Sequence, residues 1–558
     1  MMCPMRIRAS VAGLLFMAGS LVTVPLLTVP LQAQTPAPAR SCESLAALQL
    51  PHLTVVSATT VPPGGAAANG SPGVPPLDVP AHCEVRGISR PSSDSEVGFE
   101  VWLPLSGWNG KYRQNGNGGF AGSINRASLA DPVRRGYVAA ATDDGHDATK
   151  TPQGTFAVGH PEKAIDFGYR AVHDTAEQAK AIAAAFYGTR PSRSYFVGCS
   201  DGGREALMEA QRFPEDFDGI IAGAPANDWS HLFTSFVWNE LALTKDDAHR
   251  IPPAKLPAIQ KAVVAACDAA DGVKDNLVSN PLACRVDPAV LACRAGDNSE
   301  CLTPAQVETL KALYAGPKNP RTGEQIFPGL VPSGVEALTA NWQLWIWGAA
   351  PGRSAQSGFG SSYYRDVVFE RPTWDIRSMD FDRDVRSSDV KAGPIFDATN
   401  PDLRSFRAHG GKLLQYHGWG DSAIVASSSI AYYEAVRSFM SAAPDPRSTS
   451  KEVDDFYRLF MVPGMSHCSG GVGPVRFGND ANPPAASIGD PERDMFTTLE
   501  RWVERGVAPA RLIGSGPTPL DAAKTMTRPL CPYPQQAQYK GSGATDDAAN
   551  FVCELPTK

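Results

Sequence analysis

The sequence lacks a strong charge of one sign. Lys and Arg number 51 against 58 Asp and Glu in 558 residues, a net charge of -7 at pH 7. Nucleic-acid partners usually call for a basic face, so this balance argues against them. After about Leu31 no apolar run is long enough to span a bilayer. There is no internal repeat and no heptad pattern, which excludes a solenoid or a coiled coil. A dinucleotide fingerprint is also missing. The stretch Asn115-Gly116-Asn117-Gly118-Gly119-Phe120 breaks the Gly-x-Gly-x-x-Gly spacing, and no clear βαβ unit surrounds it.

What is present is ordinary globular composition, 43% hydrophobic and 20% charged, with 51 Gly and 48 Pro. The N-terminus has the pattern of an export signal. Arg6 and Arg8 precede an apolar stretch from Val11 to about Leu31, and Ala33 sits at a cleavage-like position. Cleavage after residue 33 leaves a secreted or periplasmic chain with no membrane segment; the alternative is an uncleaved anchor. It also removes Cys3 and leaves ten cysteines, an even number that points to disulfides in an exported chain. Near neighbours suggest Cys267–Cys284, Cys293–Cys301 and Cys531–Cys553, although spacing alone leaves the connectivity open.

From residue 97 the pattern becomes regular. Strands are expected at 97–103, 136–142, 194–198, 217–223, 412–416 and 457–462, and helices at 171–187, 202–213 and 490–505. Such alternation predicts a mostly parallel sheet with helices on both faces. It breaks down over 226–395, which carries four cysteines, an acidic cluster and many aromatics. That stretch is read as an inserted lid, between core segments 34–225 and 396–558.

Gly198-Cys199-Ser200-Asp201-Gly202 matches the nucleophile-elbow pattern Gly-x-Ser-x-Gly, with an apolar strand before it and a helix after it. A serine hydroxyl needs a base, and the base needs an orienting group. In this fold they follow in the order Ser, acid, His. His467, directly after the 457–462 strand, is the candidate base, and Asp421 the candidate orienter. His417 precedes Asp421 and is assigned to packing or hydrogen-bonding nearby. If Ser200 and His467 touch, Cys199 and Cys468 are near enough to bond. Such a bridge would hold both loops in register and add about 3–5 kcal/mol on the chain-entropy model. The backbone N–H of Asp201 is the first candidate oxyanion donor. Asn117 and Gly118, in the glycine-rich loop, are candidates for the second.

Asp268, Asp271 and Asp275 crowd one turn-like segment, where the carbonyls of Val273 and Leu277 add further oxygens. Calcium takes such a set; a solvated acidic loop explains the same residues.

These marks together resemble the tannase/feruloyl esterase family, which includes bacterial mono(2-hydroxyethyl) terephthalate hydrolases. The most specific are Gly198-Cys199-Ser200-Asp201-Gly202-Gly203-Arg204-Glu205, Tyr416-His417-Gly418-Trp419-Gly420-Asp421 and Pro463-Gly464-Met465-Ser466-His467-Cys468-Ser469-Gly470-Gly471. The resemblance implies an α/β-hydrolase fold with a large inserted lid domain, a Ser200–His467–Asp421 triad and a Cys199–Cys468 bridge. It further implies Cys42–Cys83 and a structural Ca2+ in the lid, held by Asp268, Asp271, Val273, Asp275 and Leu277. Small esters of aromatic acids are the implied substrates: galloyl, feruloyl or terephthalate monoesters. Phe359, Tyr363, Tyr364 and Ile424 are the expected pocket lining. Ile424 stands where the terephthalate branch has an aromatic residue. Arg353 and Arg365 are out of register with that branch's carboxylate-binding arginine. Both departures favour phenolic-acid esters. A silent aromatic-binding protein and a peptidase are the competing readings.

Overall fold

Gly219-Ile220-Ile221-Ala222-Gly223 is buried along its whole length. A continuous apolar run of this size suits a strand covered on both faces. It becomes β7, inside a nine-stranded sheet of order β1-β2-β3-β5-β4-β6-β7-β8-β9. The strands are β1 (Leu53–Val61), β2 (His82–Ser89), β3 (Val97–Pro104), β4 (Lys111–Asn115), β5 (Val138–Thr142), β6 (Arg193–Cys199), β7 (Gly219–Gly223), β8 (Lys412–Gly418) and β9 (Tyr457–Val462). These come from a computed structural model, which describes residues 38–64, 77–441, 450–479 and 487–556. The expected signal segment, 1–33, lies outside the described residues.

β1, β2, β3 and β5 pair antiparallel in turn. From β5 onward every pairing is parallel. The register brings the carboxyl ends of the central strands level: Asn115 opposite Val197, Cys199 opposite Gly223, Gly223 opposite Tyr416, and Gly418 opposite Val462. Loops leaving such ends are where open α/β sheets place ligands. This is the α/β-hydrolase arrangement expected from the sequence.

The expected strands and helices are present, with ends moved by up to about five residues. β1, β2 and β4 were not anticipated. β4 reads Lys-Tyr-Arg-Gln-Asn, yet it lies between β5 and β6 with four of its five residues buried. Each buried polar side chain finds a partner. Gln114 Nε2 donates to Val172 O at 3.0 Å, Arg113 pairs with Asp131 at 2.7 Å, and Asn115 donates to Ser128 O.

Between β7 and β8 the chain forms helices and turns with only isolated bridges. This is where the lid was expected. Its apolar residues, among them Trp229, Ile259, Leu310, Trp342 and Tyr363, build a hydrophobic core separate from the one under the sheet. The described residues nevertheless all fall in one compact unit. Among the described residues no helix is long and apolar enough to cross a membrane.

Candidate active site

The elbow after β6 depends on its glycines. A Cβ on Gly198 would stand 2.2 Å from Gly202 O, one on Gly202 2.9 Å from Asn117 O, and one on Gly203 2.3 Å from Gly223 O. No side chain fits at these three positions without moving backbone. Ser200 itself is left at φ 67°, ψ -120°, a strained conformation for a non-glycine residue. The turn lifts Ser200 clear of β6 and opens directly into the helix Asp201–Arg212.

β8 and β9 deliver the two other groups. His467 Nε2 lies 2.9 Å from Ser200 Oγ, and His467 Nδ1 lies 2.8 Å from Asp421 Oδ2. Asp421 is fully buried, whereas the His467 side chain is 14% exposed. Asp421 Oδ1 accepts the N–H groups of Ala423 and Ile424 at 2.8 and 2.9 Å. Burial alone would drive the Asp421 carboxyl up. The charge of His467, with hydrogen bonds from His417 and His467, outweighs it and holds Asp421 far below the usual carboxylate range. An ionised Asp421 places the His467 proton on Nδ1 and leaves Nε2 free to accept from Ser200. His417 is buried behind them, bonded to Ser429 Oγ at 2.7 Å and to Ile424 O at 2.9 Å. The packing role assigned to it agrees with this placement.

All ten expected cysteines are bridged: Cys42–Cys83, Cys199–Cys468, Cys267–Cys284, Cys293–Cys301 and Cys531–Cys553. The Cys199–Cys468 bond joins residues 269 apart in sequence, each next to a member of the Ser200–His467 pair. Replacing both cysteines by alanine should lower the free energy of unfolding by about 3–5 kcal/mol and reduce kcat as the histidine loop loses register. Urea unfolding checks the first effect. A loss below 1 kcal/mol would show that the bridge contributes little to holding the loops.

Asp201, the first residue of its helix, has no carbonyl one turn back for its N–H to bond, so that N–H is free to point at an anion. The second donor needs correcting. The Asn117 N–H is already given to Glu205 Oε2 at 3.0 Å, so Asn117 is not a donor to substrate. Gly118 borders the cavity, and its N–H makes no hydrogen bond among the described residues.

The cavity above Ser200 has a volume of about 290 Å³. Its walls are Trp229, Leu232, Phe233 and Phe236 from the helix Trp229–Leu243, Trp345 and Phe359 from later segments between β7 and β8, Ala423 and Ile424 from the Asp421 loop, and the Cys199–Cys468 bridge. Phe359 and Ile424 were expected there. Tyr363 and Tyr364 were expected but are fully buried in the lid core, where their hydroxyls meet Ser388 and Thr234 at 2.6 Å. The sequence reading passed over Trp345, which meets His467 edge-on with ring centroids 5.1 Å apart. Among the described residues no Arg or Lys lines the cavity.

In the acidic lid segment the Asp side chains fold the chain back on itself. Asp268 accepts from Asp275 N, Asp271 from Val273 N, and Asp275 from Leu277 N. Burial, with the charge of Asp275 adding to it, raises the carboxyls of Asp268 and Asp271. That is the signature of acids gathered without enough positive charge. Arg528 meets Asp275 at 2.7 Å and supplies part of it. The donor set of carboxylates and carbonyls suits a hard cation. The tighter acidic groupings among the described residues lie elsewhere, at Cys293–Asp297–Cys301, whose thiols are bridged, and at Asp144–Asp201–Glu205.

Comparison with known proteins agrees with this geometry. Residues 83–554 match the family model described as tannase and feruloyl esterase. An uncharacterized esterase of Xanthomonas campestris pv. campestris is 44% identical over 530 residues, covering 92% of this chain and 91% of the relative. The mono(2-hydroxyethyl) terephthalate hydrolase of Piscinibacter sakaiensis is 35% identical, covering 86% and 85%. The crystal structure of feruloyl esterase B from Aspergillus oryzae superposes with a TM-score of 0.81 at 30% identity, covering 92% of this chain and 99% of that one. With its fold and nearly its whole length in common with these proteins, the chain belongs to the tannase and feruloyl esterase family and is a carboxylic ester hydrolase.

Proposed function

We propose that the protein is an exported serine esterase that cleaves small esters of aromatic acids, with Ser200 as nucleophile, His467 as general base and Asp421 as its orienter. The observation that carries this reading is the unbroken Ser200–His467–Asp421 hydrogen-bond relay opening into an apolar cavity. Ser200 Oγ attacks the ester carbonyl carbon while its proton passes to His467 Nε2. The carbonyl oxygen becomes an oxyanion held by the N–H groups of Asp201 and Gly118. Collapse breaks the bond to the alcohol, which takes the proton from Nε2 and leaves an acyl-enzyme on Ser200. Water then gives a proton to His467 Nε2 and attacks the acyl carbon; the bond from that carbon to Ser200 Oγ breaks, Oγ takes the proton back from Nε2, and the acid is released. Five disulfides support export into an oxidising compartment.

The cavity walls also bear on the acid. A flat ring fits against Phe233, Trp345 and Phe359 by stacking and edge contacts. A free carboxylate on that ring would lose its water with no cation to meet it. Methyl ferulate should therefore show a kcat/KM at least tenfold above that of mono(2-hydroxyethyl) terephthalate, and methyl gallate, with three hydroxyls to desolvate, should fall between. The second reading, hydrolysis of the terephthalate monoester itself, has the 35% identical relative in its favour. The reverse order in a side-by-side kinetic panel would establish it. Titration with a serine-directed phosphonate tests the chemistry directly. One adduct per chain on Ser200, with parallel loss of turnover, is expected, and an unlabelled Ser200 would leave only a binding protein.

The acidic lid segment is read as a calcium site. Asp268, Asp271 and Asp275 with the carbonyls of Val273 and Leu277 would hold the ion, and its charge would neutralise acids that Arg528 only partly balances. Its role is to brace the lid, with no part in the chemistry. At a hundredfold excess over Kd, calcium should add about 2.7 kcal/mol. Chelation should lower the melting temperature and re-added Ca2+ restore it; a melting temperature indifferent to both would remove the site.

A further inference from the structure

Behind the elbow lies a buried acidic group that the hydrolytic steps do not use. Asp144, Asp201 and Glu205 are 0–2% exposed, and one carboxylate oxygen of each lies within 4.8 Å of the others. The cation among them is Arg204, bonded to Asp201 Oδ1 at 2.6 Å. Its other nitrogens go to the carbonyls of Gly168 and Phe167. Both Asp144 oxygens, Asp201 Oδ2 and Glu205 Oε1 are met by no N–H or hydroxyl group among the described residues. Three ionised acids against one guanidinium would leave two uncompensated charges in a dry interior, which is prohibitive. Burial first, then the charge of Glu205 and its hydrogen bond, push the Asp144 carboxyl well above the usual range. Burial likewise lifts Asp201 to about 7, against the pull of Arg204.

The other Glu205 oxygen faces the oxyanion loop. Oε2 takes the Asn117 N–H at 3.0 Å, and a Cβ on Gly116 would stand 2.5 Å from the same oxygen. Asn117 O in turn accepts the Gly202 N–H at 3.0 Å. Both sides of the Asn117 residue are thus tied to the helix that carries the nucleophile, and the next residue is Gly118. We infer that Glu205 is a positioning residue for ester hydrolysis: joined to Asp144 through one shared proton, its carboxylate fixes the Asn117 amide and so aims the Gly118 N–H at the oxyanion. The shared proton sits on Asp144, donates to Glu205 Oε1 and leaves Oε2 with the negative charge that the Asn117 N–H meets. This role rests on Ser200 being the nucleophile.

Three variants test it. Glu205→Leu fills the space without an acceptor, so Gly118 is no longer held. Its kcat should fall by about 30- to 100-fold, somewhat less than outright removal of an oxyanion donor, which costs roughly 100- to 1,000-fold. KM should stay within about threefold, because ground-state binding does not use that N–H. Glu205→Gln should rescue kcat to within about threefold of the wild type, since its amide oxygen still accepts from Asn117 and its NH2 can donate to Asp144. Asp144→Asn should do likewise, an amide standing in for the protonated acid. Undiminished kcat in Glu205→Leu, or equal losses in the Leu and Gln variants, would overturn the positioning role. A dead Asp144→Asn, with wild-type activity that falls on chelation and returns with added Ca2+, would replace the proton by a cation. Should Glu205→Leu fail to fold, Glu205→Met, unbranched and equally without an acceptor for the Asn117 N–H, carries the same expected loss and decides in its place. Phosphonate labelling separates the two levels. No adduct on wild-type Ser200 sinks the nucleophile assignment, whereas a normal adduct with indifferent Glu205 variants sinks this inference alone.

Discussion

Ser200→Ala should lower kcat for methyl ferulate by roughly a millionfold, the scale seen when a nucleophile acting in a triad is removed. The fold should survive. Ser200 lies at φ 67°, a cost that alanine bears as serine does, because both carry a Cβ. The glycines that make room for the turn, Gly198, Gly202 and Gly203, are untouched. Among the described residues the only hydrogen bond lost is the one to His467 Nε2 at 2.9 Å, on a side that opens to the cavity and can take water. The melting temperature should therefore change little while turnover disappears. Binding should persist, since the ring contacts of Phe233, Trp345 and Phe359 remain. Kinetics on methyl ferulate, with thermal unfolding alongside, check both halves. Activity within tenfold of wild type would move the nucleophile elsewhere.

The elbow was legible in the sequence because close packing demands it. Each of its glycines is pinned by backbone within 3 Å of where a side chain would begin, and an apolar β6 announces the strand before it. Asp421 and His467 were legible because they follow strands whose apolar runs are plain. β4 was not, since Lys111 to Asn115 carry polar side chains whose partners, Val172 O, Asp131 and Ser128 O, are remote in sequence. The cavity lining was half hidden for a related reason. The helix Trp229–Leu243 is buried around most of its circumference, so periodicity does not tell which face meets substrate. Lid aromatics are equally mute: Phe359 reaches the cavity, whereas Tyr363 and Tyr364, a few residues on, turn into the lid core. Glu205 closes one of the marks quoted from the sequence, but nothing there pointed to Asp144 or to a pairing of the two, because the pair exists only once β5 and the nucleophile helix are packed together.

Asp421→Asn should cost roughly 10,000-fold in kcat, and the geometry says why. Asp421 Oδ1 accepts two backbone N–H groups, from Ala423 and Ile424, while Oδ2 faces His467 Nδ1 at 2.8 Å and His417 Nε2 at 3.3 Å. An asparagine will keep its oxygen on the two backbone donors, since turning it round would set NH2 against both of them. Its NH2 then points at the two histidines. It donates to His467 Nδ1, which forces the imidazole proton onto Nε2, facing Ser200. A protonated Nε2 cannot accept the hydroxyl proton, so the relay runs backward. The imidazolium that forms during attack also loses the carboxylate charge that stabilises it. Asp421 does not itself line the cavity, and the asparagine keeps the bonds that hold Ala423 and Ile424 in its wall, so KM should hold. The phosphonate reaction, which uses the same proton transfer, should slow in proportion to kcat. If Asp421→Asn labels and turns over like the wild type, His467 takes its orientation from another group, and His417 would be the first to examine.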